Sequence, residues 1–270
     1  MVMAELAQDL RDEGRELHDF IASIASEQWQ RRGPFKDWTV EDVLRHLIVG
    51  DWFNVLAMTA PERFQTIMAQ RRTARAAGEP RTSGIETLDK PVGAGHELLA
   101  AWFSGLNDLC ALFERAQPRQ RMAWVGPDMS IRSAATARLM ETWAHGQDIY
   151  DMLRVAREPR DRIRHIAVLG VNTFEWTFRN RGLEPPGPAP RVELVAPSGA
   201  IWTWNDDQTE NRISGAAVDF CHVVTQGRNI AEVTLNVVGP VAQAWMAIAQ
   251  CFAGTPEDPP LPGVRGWEST

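Results

Sequence analysis

The chain has 270 residues, a formal net charge of −7, and 44% hydrophobic against 23% charged residues. That is the composition of a water-soluble globular protein with enough material for two cores. No apolar run approaches the ~20 residues of a membrane-spanning helix. Arg71, Arg72 and Arg75 form only a short basic patch, so neither a membrane nor a nucleic acid is expected as a partner.

From Met3 to about Ile24, Leu6, Leu10, Leu17, Ile21 and Ile24 recur at helical spacing. The segment Met1 to Arg11 lacks the basic-then-apolar pattern of a signal peptide. Gly33-Pro34 breaks the chain. Thr39 is a fitting N-cap for a second helix that runs to about Met58, with Glu41 and Asp42 in its first turn where the helix dipole favours acids. Residues 62–90 are polar and read as a short helix and a loop, a candidate lid. A third helix spans roughly Pro91 to Ala116, with Leu98, Leu99, Trp102, Phe103, Leu106, Leu109 and Leu112 facing inward. A loop containing Gly126-Pro127 precedes a fourth helix from near Ser130 to about Val155. Four helices separated by breaks make an all-α four-helix bundle over residues 1–155.

Residues 156–270 have the texture of a small α+β domain. A helix is expected over about Arg160 to Arg179, and a Gly/Pro-rich connector follows to Pro190. Arg191 to Ala196 and Ala200 to Trp204 alternate around Pro197-Ser198-Gly199, a hairpin pattern. A third short strand is expected at Ile213, and helices over Gly215 to Gln226 and Pro240 to Phe252. Cys110, Cys221 and Cys251 are far apart and odd in number, which points to neither disulfides nor a thiolate site and fits a reducing cytoplasm. Nothing in the sequence separates a monomer from a homodimer. Of the eleven tryptophans, most are expected in the core.

His46 shares its helix face with Val43, Val49, Gly50 and Phe53, so its imidazole points toward an apolar surface. It is either a core histidine with one hydrogen-bonding partner or a ligand. Glu141 and His145 stand one helical turn apart on one face, a spacing that can hold one metal in a bundle core. It also arises easily in a solvent-facing pair. Asp148 extends that face, either orienting a ligand or lying at the surface. Arg138 on the same face either pairs with Glu141 or binds an anion. One histidine from the second helix plus Glu141 and His145 from the fourth gives three protein ligands and an open position, the arrangement of catalytic rather than structural zinc sites. His18, His96, His165 and His222 have no partner at ligand spacing and read as surface or structural residues.

At these positions a family resemblance appears. Asp37-Trp-Thr-Val-Glu-Asp-Val-Leu-Arg-His46-Leu resembles the second-helix signature of DinB-like metal-binding bundles. Met140-Glu-Thr-Trp-Ala-His145-Gly-Gln-Asp148 resembles the fourth-helix signature of their actinobacterial branch, which contains the mycothiol-dependent maleylpyruvate isomerases. The order of the second half is similar to the sterol-carrier-like domain of those proteins. The resemblance implies a divalent metal at His46, Glu141 and His145, with zinc first and nickel, iron or manganese compatible with the same donors. It also implies a small-molecule substrate and a low-molecular-weight, mycothiol-type thiol as cosubstrate. In the isomerases, thiolate addition to a conjugated double bond, rotation and thiol expulsion give the trans isomer. Such a reaction needs a cation for substrate carboxylates. Arg228, just past Gly227, is the candidate, against the plainer role of an arginine at a helix C-terminus. The segment 62–90 and the hairpin residues Trp202 and Trp204 depart from the family pattern and bear on the substrate. Two other readings stand beside a thiol-dependent isomerase or S-transferase: a thiol-independent metal enzyme, and a carrier of an apolar ligand with a structural metal.

Overall fold

The computed structural model describes residues 3–78, 84–124 and 128–266. The chain divides into two compact units, 1–146 and 147–270, and the division falls inside a long helix rather than after it.

The first unit is helical. Its elements are α1 (Met3–Ser23), a 3-10 turn at Ser26–Gln30, α2 (Val40–Thr59), α3 (Pro61–Ala76), α4 (Gly95–Arg115), a two-residue ladder of β1 (Arg121–Met122) with β2 (Met129–Ser130), and α5 (Ile131–Leu153). α1 packs on α4, α4 on α2, and α2 on both α3 and α5. Leu6, Leu10, Leu17 and Ile21 of α1 are fully or almost fully buried with Leu98, Trp102, Leu106 and Leu109 of α4. Leu106 lies so close over Gly14 that a Cβ there would overlap it. Arg11 also reaches Glu114 at 2.7 Å.

One expectation for this unit needs correction in extent. Residues 61–76 form a helix of 16 residues, longer than the short helix expected. Ala, Arg, Gln and Met favour helix intrinsically, but only Phe64 and Met68 of this helix are buried, so its periodicity is faint. The loop residues Gly126 and Pro127 and the stretch 79–83 lie outside the described residues.

The second unit is α+β. After the end of α5 come a 3-10 turn at Asp161–Ile163, α6 (Arg164–Asn172), α7 (Phe174–Arg179), β3 (Arg191–Val195), β4 (Ile201–Trp204), β5 (Arg212–Ala216), α8 (Ala217–Val224), β6 (Asn236–Val238) and α9 (Pro240–Met246). The helix expected over 160–179 is two helices. At the break, the Thr173 hydroxyl donates to the carbonyls of Leu169 and Gly170, a local bond that competes with the helical ladder. The expected hairpin is present, with Val192 opposite Trp204 and Leu194 opposite Trp202. The third strand pairs parallel to β3, Ile213 beside Val192, and β6 completes the order β4-β3-β5-β6. Val192, Leu194, Ile213, Phe220 and Trp245 form its core. α8 begins later than expected because Gly215, at φ 149°, belongs to β5. Among the described residues no helix is long and apolar enough to cross a membrane.

Candidate metal centre

α2 is started by a reciprocal cap. The Thr39 hydroxyl accepts from the Asp42 amide at 3.2 Å, and the Asp42 carboxylate accepts from the Thr39 amide at 3.0 Å. Two helix N–H groups that would otherwise lack partners are satisfied, and His46 is presented two turns further on. α5 supplies Glu141 and His145 one turn apart. Among the described residues, one ligand atom from each of His46, Glu141 and His145 lies within 4.8 Å of the others. His46 Nε2 stands 3.0 Å, and His145 Nε2 3.4 Å, from the same Glu141 oxygen. The imidazole centroids are 4.5 Å apart and inclined at 70°.

The centre opens to water on the α2 side. His46 keeps 37% of its side chain exposed, against 27% for Glu141 and 12% for His145. Crowding by protein still disfavours the charged form of His46. This withdrawal from water is the largest cause of its lowered pKa, and the His145 imidazole adds to it. For Glu141 burial alone would raise the pKa, but hydrogen bonds from His145 and His46 overcome that and hold the carboxyl well below its usual range. The arrangement is thus biased toward a neutral imidazole and an ionised carboxylate, the forms a cation requires of its ligands.

A second cross-link lies one turn away. Arg138 Nε donates to Asp51 at 2.9 Å and Nη2 to the Leu47 carbonyl at 3.3 Å. Moving from His46 to Asp51 along α2 moves from Glu141 back to Arg138 along α5. The helices are therefore antiparallel, and the two links together fix their register. Gly50 makes room for the guanidinium, since a Cβ there would come within 2.5 Å of Arg138 Nη1. Of the two readings weighed for Arg138, pairing with Glu141 is not what is found among the described residues; the guanidinium is tied to Asp51 instead.

Phe35 and Trp38, on the turn before α2, wall the centre. The Phe35 ring lies 5.2 Å from His145, and Trp38 lies 5.2 Å from His46 and 5.5 Å from His145. No spacing in the sequence ties this turn to α5. Asp51 stands as an acid in the otherwise mostly apolar stretch 47–58 of α2, beside Gly50.

Asp148 and Arg228 both belong to the second unit and are both paired there. Asp148 binds Arg265 at 2.6 Å, and Arg228 holds both oxygens of Asp151 at 2.7 Å. Gln147 donates to Asp151 at 2.9 Å. His222 lies near these arginines; burial first, then Arg228, Arg157 and Arg265, push its pKa down to about 3. Of the other histidines, His18 stacks on Phe103, His96 meets Trp29 edge-on, and His165 is buried.

Residues 10–150 match the model of the mycothiol maleylpyruvate isomerase N-terminal domain. The chain belongs to this family. It is also 38% identical over 248 residues to an uncharacterized protein of Mycobacterium tuberculosis, found alike in two strains, with 92% of this chain and 95% of the relative covered. The mycothiol-dependent maleylpyruvate isomerase crystal structure covers 83% of this chain and 88% of its own, at 12% identity and a TM-score of 0.45. That of a histidine-to-alanine mutant gives 15% and 0.44. The family match spans every residue of the triad.

Proposed function

We propose that this protein is a divalent-metal-dependent enzyme that uses a low-molecular-weight, mycothiol-type thiol to isomerise, or transfer sulfur to, a small electrophilic substrate. The observation that carries the reading is the convergence of two imidazoles and one ionised carboxylate on a water-exposed face of the bundle. Three donors of this kind suit zinc, and nickel, iron or manganese as well. They leave room for an exogenous ligand. A bound cation would supply Lewis acidity and lower the pKa of a thiol beside it. His46 and His145 offer Nε2 to it, Glu141 supplies the balancing negative charge, and Phe35 and Trp38 shield one side from bulk water.

Family membership supports the thiol and the isomerase-like chemistry. Addition and later expulsion of a thiol leave the substrate's atoms unchanged, so one exposed centre suffices for both half-reactions. Arg228 and Asp148 enter this proposal through ion pairs already made. A direct role for Arg228 with a substrate carboxylate requires the Asp151 pair to open.

Elemental analysis of the purified protein tests the centre. About one metal per chain is expected, lost in both His46→Ala and Glu141→Ala. A metal-free protein that also refuses metal on reconstitution overturns the reading. Full turnover in the absence of any thiol overturns its thiol half.

A further inference from the structure

Two of the three donors sit on one helix and hold their spacing without help, since Glu141 and His145 stand one turn apart on α5. His46 comes from α2 and has no such constraint. A slip of one residue between the helices would carry it about 1.5 Å along the axis, whereas a ligand set has to be held to within about 0.5 Å. Apolar packing alone is a weak guard against such a slip. Burial of hydrocarbon is non-directional, and cores lose uniqueness before they lose stability.

Among the described residues, directed bonds join α2 to α5 at two places. The His46–Glu141 bond, at 3.0 Å, uses ligand atoms themselves, so it is given up whenever a cation takes those donors. Arg138 uses none of them. It lies three residues before Glu141 and reaches across to Asp51 at 2.9 Å and to the carbonyl of Leu47, the residue after His46, at 3.3 Å. Leu47 and Asp51 are one helical turn apart, so a single planar guanidinium grips a whole turn of α2. Gly50 is its seat. The atoms a Cβ there would meet are Arg138 Nη1 at 2.5 Å, Cζ at 2.9 Å and Nη2 at 3.2 Å. A rigid fork bonded to both a carboxylate and a backbone carbonyl resists rotation as well as slide. With side chains only 4% exposed at each end, water competes little for these bonds. Such a pair is weak evidence for stability, because withdrawing both charges from water offsets much of their attraction.

We propose that Arg138, seated on Gly50 and held by Asp51, is a positioning residue for the metal centre: it keeps His46 opposite Glu141 and His145 in the metal-free protein, so that a divalent cation meets three donors already in place. This rests on the metal reading above and not on its thiol half.

Cobalt(II) alone, titrated into metal-free full-length protein, reads the centre without turnover, through its ligand-field bands and through competition with a chromophoric chelator. In the double variant Asp51→Leu with Arg138→Met both charges go while the volume is roughly kept, so the fold should survive, and circular dichroism checks that it does. Cobalt should bind this variant roughly 10-fold more weakly than wild type, the scale typical of groups that orient metal ligands, and its bands should move or broaden. Gly50→Ala keeps both charges but lifts the guanidinium from its seat, and there the affinity should fall by roughly 3-fold or more. Wild-type affinity and bands in a folded double variant, or in Gly50→Ala, overturn the assignment and leave the metal reading standing. Should the double variant not fold, Gly50→Ala decides by the same two outcomes. If wild type itself takes up no cobalt, the metal reading fails and the assignment falls with it.

Discussion

Asp51→Ala should be among the most damaging single substitutions in the first unit. Asp51 and Arg138 are each only 4% exposed in their side chains, and Nε to Oδ1 is 2.9 Å. Burial raises the Asp51 pKa, with the Arg138 charge opposing the rise, so the carboxylate is strained by its surroundings even when paired. Truncating Asp51 leaves a guanidinium in the core with, among the described residues, only the Leu47 carbonyl for a partner, at a cost of about 3–5 kcal/mol. Arg138→Met strands the carboxylate at a similar cost. Replacing both, Asp51→Leu with Arg138→Met, removes both charges and should be neutral or stabilising by about 1–4 kcal/mol. The cycle therefore predicts strong coupling, measured by urea denaturation of the metal-free protein followed by helical circular dichroism. Single variants that each lose less than about 1 kcal/mol would refute the argument, because the pair would then be behaving as a solvated surface bridge.

Gly50→Ala tests the same region from the other side. In an ordinary helix interior it would gain about 1 kcal/mol. Here the new methyl meets Arg138 Nη1 at 2.5 Å, and a net loss of about 1–3 kcal/mol is expected. A raised melting temperature would show that the guanidinium moves aside freely. In the second unit, His222 has its folded pKa depressed from 6.5 to about 3. A depressed histidine contributes stability in full above pH 6.5 and loses it as pH falls toward 3. At about 1.4 kcal/mol per unit, His222 should account for up to about 3 kcal/mol of the stability lost between pH 6.5 and 4.5. His222→Gln should flatten that limb in pH-dependent denaturation, and an unchanged slope would remove His222 as its cause.

The triad could be assembled from the sequence because each half carries a periodic signal. Glu141 and His145 are a turn apart, and His46 sits on an otherwise apolar face. What brings them together is a long-range pairing that no local pattern encodes. The Asp51–Arg138 link shows why: each residue read alone is a charge on a helix, and only the antiparallel register of α2 and α5 makes them partners. The walls supplied by Phe35 and Trp38 depend on Lys36 and Asp37 both standing in the left-handed region; Gly33-Pro34 signals a break there, but not where the two rings will lie. In the second unit the β3–β4 hairpin was legible from alternation around Pro197-Ser198-Gly199. The parallel pairing of β5 was not, since alternation is blind to strand direction, and β6, at three residues, is too short to show a period.

The strand order of the second unit has a consequence for how it comes apart. β4 runs back toward the start of β3, and the next strand, β5, begins beside that same start but on the opposite flank. The segment 205–211 must therefore pass around the beginning of β3. It fastens itself there, with Asn205 donating to the Pro190 carbonyl and the Arg191 amide donating to the Asn211 carbonyl, each at 2.9 Å. β3 is clasped at its entry as well as bonded along both edges, whereas β4 and β6 each leave one edge unpaired in the sheet. Amide exchange should run inward from those two outer strands. The amides of β3 would be released only when the clasp opens, which makes that short loop the latch of the whole sheet.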